Sequence, residues 1–291
     1  MTSVIQSLRR LATAICIFLG LGFSHSTSAQ CNVDTGAATV IEKLQQSRDR
    51  YVVSGTFLRE SAVGRDFVSV MRGDGEALST AQFVNSAARN SEQKLRLPVG
   101  RYLDPCEVTE LYAVTVAPGP KVAGKTTQVL QFRPRDTLRL GHVLALEEGS
   151  GVILRSDTIS EKGELLERHE FATVSISAVS VEDAVDRSAD NSPRYVKVPG
   201  LPDGYRASLA RGYEGRALFV SDGIAAATVI FEPLPSAVKP GEGAVRRGAT
   251  LTYTRGSRVS GKNILVTVIG EVPLAAARVI ADAVKLTAGQ R

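Results

Sequence analysis

Between residues 51 and 179 the chain is a succession of short alternating β-prone segments cut by turn chemistry. That period of two commits this half to an antiparallel sheet. Strands are predicted over 51–58, 66–72, 110–116, 126–132, 139–146, 152–159 and 165–179. Pro118-Gly119-Pro120, Pro134-Arg135-Asp136, Glu148-Gly149-Ser150-Gly151 and Glu161-Lys162-Gly163 separate them. A helix over 34–50 precedes the strands, with Asp34 and Thr35 as caps and Ala37, Val40, Ile41 and Leu44 at helical spacing. The pattern is a meander with one helix in front.

Residues 181–194 are acidic, small and poor in bulky apolar groups, the composition of a linker. Glycine-punctuated strands then follow over 205–209, 217–220, 226–232, 250–254 and 264–270. Pro273 opens a last helix with an apolar stripe of Ala276, Ile280, Ala283 and Val284, and Arg278, Asp282 and Lys285 on its other face. The expected fold is α+β and mostly antiparallel, with an N-terminal domain at 30–180, the linker at 181–194 and a smaller β-rich domain at 195–291.

The first 29 residues read as an export signal. Arg9 and Arg10 precede an uncharged run over 11–23, and Thr27-Ser28-Ala29 fits a small-x-small cleavage site. The run is shorter than the roughly 20 residues a spanning helix needs; a retained anchor is the alternative. Gln30 before Cys31 argues against a lipid-modified cysteine, and Ala12-Thr13 lack the bulk expected after a twin-arginine signal. A compartment outside the cytoplasm is expected. Without the signal the net charge falls from +5 to +3, too small a surplus to argue for nucleic acid. Cys16 leaves with it, so Cys31 and Cys106 remain and are expected to pair in an oxidising compartment; two buried thiols are the alternative. The loop of about 75 residues would contribute roughly 4 kcal/mol in the chain-entropy model.

Motifs for catalysis fail on context. Gly119 to Thr126 matches GxxxxGK followed by Thr, but strands flank it where a phosphate-binding loop needs a helix after the lysine. His169-Glu170 starts like a zinc motif, but Thr173 stands where the second histidine belongs, and His142 has no ligand cluster around it. No GxSxG is present. No enzyme, cofactor or metal is implied. Asp222-Gly223 joins two apolar segments as a strong hairpin signal, and a tight turn accounts for it fully.

An ordered set of phrases resembles the MucB/RseB family of periplasmic sigma-E regulators. In the second half these are Leu201-Pro202-Asp203-Gly204-Tyr205, Val220-Ser221-Asp222-Gly223-Ile224-Ala225-Ala226, Thr228-Val229-Ile230-Phe231 and Val268-Ile269-Gly270-Glu271-Val272-Pro273. In the first half they are the stretch from Tyr51 to Phe57, Lys121-Val122-Ala123-Gly124-Lys125, Pro134-Arg135-Asp136 and the stretch from Gly151 to Asp157. The resemblance implies an N-terminal half-barrel like those of LolA and LolB, curled around helices. It implies a partner, the periplasmic part of a membrane anti-sigma factor, which the bound protein shields from site-one proteolysis until lipid or lipopolysaccharide fragments release it. It places partner contacts on the C-terminal domain and linker side, at Tyr205, Ser221, Asp222, Gly223 and Ile224. A second copy of the chain is a further candidate partner. The span 72–110 departs from the family pattern by being compact, rich in Ala, Asn and Ser, and the carrier of Cys106. Rival readings are a lipid or lipoprotein carrier and an envelope scaffold.

Overall fold

The computed structural model describes residues 35–73, 77–83, 93–96, 104–179, 195–210, 216–235, 239–259 and 262–288. The signal at 1–29, Cys31, Asp34 and the linker at 181–194 lie outside them. The helical spacing read from the sequence gives α1 (Thr35–Arg50), whose Val40, Ile41 and Leu44 are buried against Leu130 and Leu144 of the first sheet. Burying side chains of this size contributes about 1.5–3 kcal/mol each.

Nine strands make that sheet: β1 (Tyr51–Ser61), β2 (Gly64–Gly73), β3 (Ala77–Phe83), β4 (Gln93–Arg96), β5 (Tyr112–Pro118), β6 (Thr127–Pro134), β7 (Gly141–Glu147), β8 (Ile153–Ile159) and β9 (Leu165–Ala178). Their order is β4-β3-β2-β1-β9-β8-β7-β6-β5, with every pairing antiparallel. This is two meanders rather than one. β1 to β4 form the first, β5 to β9 the second, and the two longest strands, β1 and β9, join them along Tyr51↔Ala178 to Ser61↔Glu167. Residues expected to open a strand at 110 instead end a helix, α2 (Pro105–Leu111). Asp104 caps it, its Oδ1 accepting from the Cys106 amide (2.8 Å), and Pro105 suits the first helical position.

The GxxxxGK string is the turn between β5 and β6. Val122 and Lys125 exchange backbone hydrogen bonds (3.0 and 2.9 Å), and Ala123 and Gly124 take φ of 48° and 76°. Positive φ at both central residues is the hairpin turn that matches strand twist. No helix follows the lysine, so no amide cluster faces a phosphate.

A seven-stranded antiparallel sheet forms the second layer: β10 (Tyr195–Val196), β11 (Arg206–Leu209), β12 (Ala217–Ser221), β13 (Ala226–Pro233), β14 (Glu242–Arg247), β15 (Thr250–Val259) and β16 (Lys262–Gly270), in the order β10-β11-β12-β13-β16-β15-β14. α3 (Leu274–Ala288) starts after Pro273, whose carbonyl accepts from the Ala277 amide (3.0 Å). Its stripe of Ala276, Ile280, Ala283 and Val284 is buried with Val229, Tyr253 and Val268. Its other face is tied to the sheet edge by exposed ion pairs, Arg278 to Glu242 (2.8 Å) and Asp282 to Arg255 (3.0 Å). Such pairs contribute below about 1 kcal/mol, so the buried stripe holds the helix. Among the described residues no helix is long and apolar enough to cross a membrane.

Candidate functional site

The β12–β13 turn is held closed from within. The Asp222 carboxylate Oδ1 accepts from the Ile224 and Ala225 amides (2.9 and 2.7 Å), and Ser221 Oγ donates to the Ala225 carbonyl (2.8 Å) while accepting from the Gly223 amide (3.0 Å). This local satisfaction leaves Asp222 Oδ2 free to work outside the turn. It faces the nine-stranded sheet, where Arg139 Nε (2.8 Å) and the Tyr112 hydroxyl (2.9 Å) both donate to it. Four donors on one carboxyl fit a carboxylate, which only accepts.

Arg139, between Leu138 and Leu140, is fully buried. It also donates to Asp136 and to the Asp203 carbonyl, and its guanidinium lies 5.0 Å from the Tyr205 ring centroid. Burial alone would pull its proton off more easily, but the Asp222 and Asp136 charges outweigh this and raise its pKa. Burial pushes the Asp222 carboxyl up from its ordinary value, against its two backbone amides, Arg139 and Tyr112. The Tyr205 hydroxyl donates to the Leu138 carbonyl (3.1 Å), and Ile224 is buried among Val108, Tyr112 and Leu130 of the first layer. An exposed Arg206–Glu107 pair flanks the cluster.

The sequence-derived contact residues are therefore brought together, but at the seam between the two sheets. Asp222, Ile224 and Tyr205 are buried against the chain's own first layer, with 0% exposure of the Asp222 side chain. Arg139 and Tyr112, their partners, carry no motif. The visible signal was only a charged residue between two leucines, beside Pro134-Arg135-Asp136. Of the expected cysteine pair, Cys106 begins α2 and Cys31 lies outside the described residues.

A second polar contact lies across the same seam. Glu167 Oε2 accepts from the Ala249 amide (2.9 Å), and Thr158 Oγ1 donates to Glu271 Oε2 (3.4 Å). His169 Nε2 is 3.3 Å from Glu167 Oε1 and its ring meets Phe57 edge-on. His142 is fully buried with no hydrogen-bond partner for either ring nitrogen among the described residues, and burial lowers its pKa to about 4. It is neutral at physiological pH. Among the described residues no group of three His, Cys, Asp or Glu is placed to hold a metal.

Residues 67–192 match the family described as the MucB/RseB N-terminal domain, and residues 202–285 match the MucB/RseB C-terminal domain. The sigma factor AlgU regulatory protein MucB of Pseudomonas aeruginosa is 29% identical over 206 residues, covering 64% of this chain and 64% of its own length. The sigma-E factor regulatory protein RseB of Haemophilus influenzae is 26% identical over 184 residues, 57% of this chain and 56% of its own. The chain thus spans less than two thirds of either curated relative in these matches. Among solved structures, MucB in the Pseudomonas aeruginosa MucA/MucB complex is 25% identical with a TM-score of 0.59, covering 84% of this chain and 97% of that one. A crystal structure described as that of MucB shares the fold, with a TM-score of 0.60 and 23% identity, covering 86% of this chain and 98% of that one.

Proposed function

This chain belongs to the MucB/RseB family, and from that premise we propose that it is a periplasmic regulator of a sigma factor, acting by binding the periplasmic part of a membrane anti-sigma factor. The observation that carries this reading is that both halves match, in order, the two domains of a family whose curated relatives are named as sigma-factor regulators. The likeness to MucB solved in complex with MucA(peri) supports a protein partner. Binding would act by occlusion, hiding the segment that a site-one protease must reach, and lipid or lipopolysaccharide fragments would release it. Micromolar affinity needs about 8 kcal/mol, within reach of an interface of ordinary size.

Tyr205, Ser221, Asp222, Gly223 and Ile224 enter this proposal as residues that hold the two sheets in the seating a partner reads, since Asp222, Tyr205 and Ile224 are buried at the seam. The test is co-purification of the chain lacking residues 1–29 with the periplasmic segment of a membrane anti-sigma factor of the MucA kind. The expected result is a stable complex that the protease cuts more slowly than the free segment. Absence of binding with the cysteines oxidised overturns the proposal.

The Cys31–Cys106 bridge belongs to the same proposal, supported by Cys106 being disulfide-bonded. Reduction and alkylation without denaturant should add two alkyl groups and remove roughly 4 kcal/mol of stability. No mass shift would sink the pairing.

A further inference from the structure

The second seam contact contains a carboxyl, Glu271, whose side-chain hydrogen bond is to a neutral hydroxyl. Glu271 leaves the end of β16 just before α3, its backbone amide donating to the Ala226 carbonyl (3.0 Å). Its side chain meets Thr158 of β8 and faces Glu167 and His169 of β9 and Arg246 of β14. Glu167 is already charged and satisfied. Burial opposes its ionisation, but His169, the Ala249 amide and Arg59 bring its pKa below the ordinary value. Arg246 is committed to the Ala249 and Val272 carbonyls (2.7 Å each) and has Glu161 as a further neighbour. Beside Thr158, in register on β7, stands His142. Two carboxyls thus share one seam; His169, which favours the ionised Glu271, is shared with Glu167, and Arg246 is bonded to carbonyls. A neutral Glu271 accepts the Thr158 hydroxyl without penalty; an ionised one adds a second negative charge to a dry contact.

We propose that Glu271 is a proton-operated clasp between the two sheets, closed when its carboxyl is neutral and loosened when it ionises. This goes beyond the partner-binding reading and holds whatever the partner is. Burial, with the Glu167 charge adding to it, pushes the carboxyl up to about 7 from an ordinary 4.5. Opening returns it to the ordinary value, so closing takes up a proton. The closed seam is therefore favoured as pH falls from about 7 toward 4.5, and that advantage is lost as pH rises through about 7.

The Ala249 amide, donated across the seam to Glu167, reports closure. Its hydrogen exchange is measured on the whole chain from pH 5 to 8, corrected for intrinsic rates. Protection should fall roughly 40-fold between pH 5 and 7, approaching tenfold per unit near pH 6, as one linked proton requires, and level off toward pH 8. Glu271→Gln should hold the acidic level throughout. A flat wild-type profile overturns the proposal. So does an unchanged slope in Glu271→Gln. Should that variant not fold, His169→Gln must keep the slope, and its loss overturns the proposal.

Discussion

Asp222→Ala should lower stability by about 3–5 kcal/mol, because it leaves the Arg139 guanidinium buried without its fully enclosed carboxylate. The same change removes the acceptor of the Tyr112 hydroxyl and the cap on the Ile224 and Ala225 amides. Urea unfolding should show the midpoint falling with little change in slope. The contrast that identifies the mechanism is the double change Arg139→Met with Asp222→Leu. Removing both charges from a buried pair costs less than stranding one, so the double variant should be more stable than Asp222→Ala alone. The reverse order would mean that Arg139 finds other compensation, and an effect of Asp222→Ala under about 0.5 kcal/mol would show the seam is not held there. In the co-purification assay the same variant should weaken partner binding, since the proposed partner reads the seating of the two sheets.

Gly55→Ala should cost about 3 kcal/mol or more. Gly55 lies in central strand β1 at φ 148°, beside a register shift in the β1–β2 pairing, and a Cβ there would stand 2.1 Å from the Thr173 carbonyl oxygen of β9. Backbone strain in that region costs about 1–3 kcal/mol, and forcing atoms into a packed site adds about 1–3 more. Gly64 at the β1–β2 turn supplies the control. It has the same φ but nothing within 4 Å of a Cβ, so Gly64→Ala should show the strain alone. Equal losses at the two positions, read from urea midpoints, would remove the steric part of the argument.

The strands were legible where sequence carries a strong period or a strong turn. Asp222-Gly223 and the Val122-to-Lys125 turn were visible through their glycines, which take φ of 96° at Gly223 and 76° at Gly124. β14 was not read, since Glu242, Gly243 and Ala244 are poor strand formers that pair because β15 supplies a template. α2 was masked by Tyr112-Ala113-Val114, although Asp104-Pro105 had already written its start. The seam was illegible for a different reason. Asp222 looked like an exposed turn residue, and only the tertiary approach of Tyr112, some 110 positions earlier, makes it a buried acceptor. Arg139 and Glu271 are ordinary charged residues until two sheets close over them.

The joining of two meanders through β1 and β9 has a consequence for how the chain assembles. The hairpins within each meander pair neighbours along the chain, whereas β1 must find a strand more than one hundred residues away. Loop closure over that distance is the slow event in a sheet of this kind. Before it happens, β1 and β9 each present a long row of unpaired amides and carbonyls, the surface through which chains aggregate. A single docking event covers both of these inner edges and leaves only β4 and β5 at the sheet's margins, so the slowest step of folding also hides the two longest pairing surfaces.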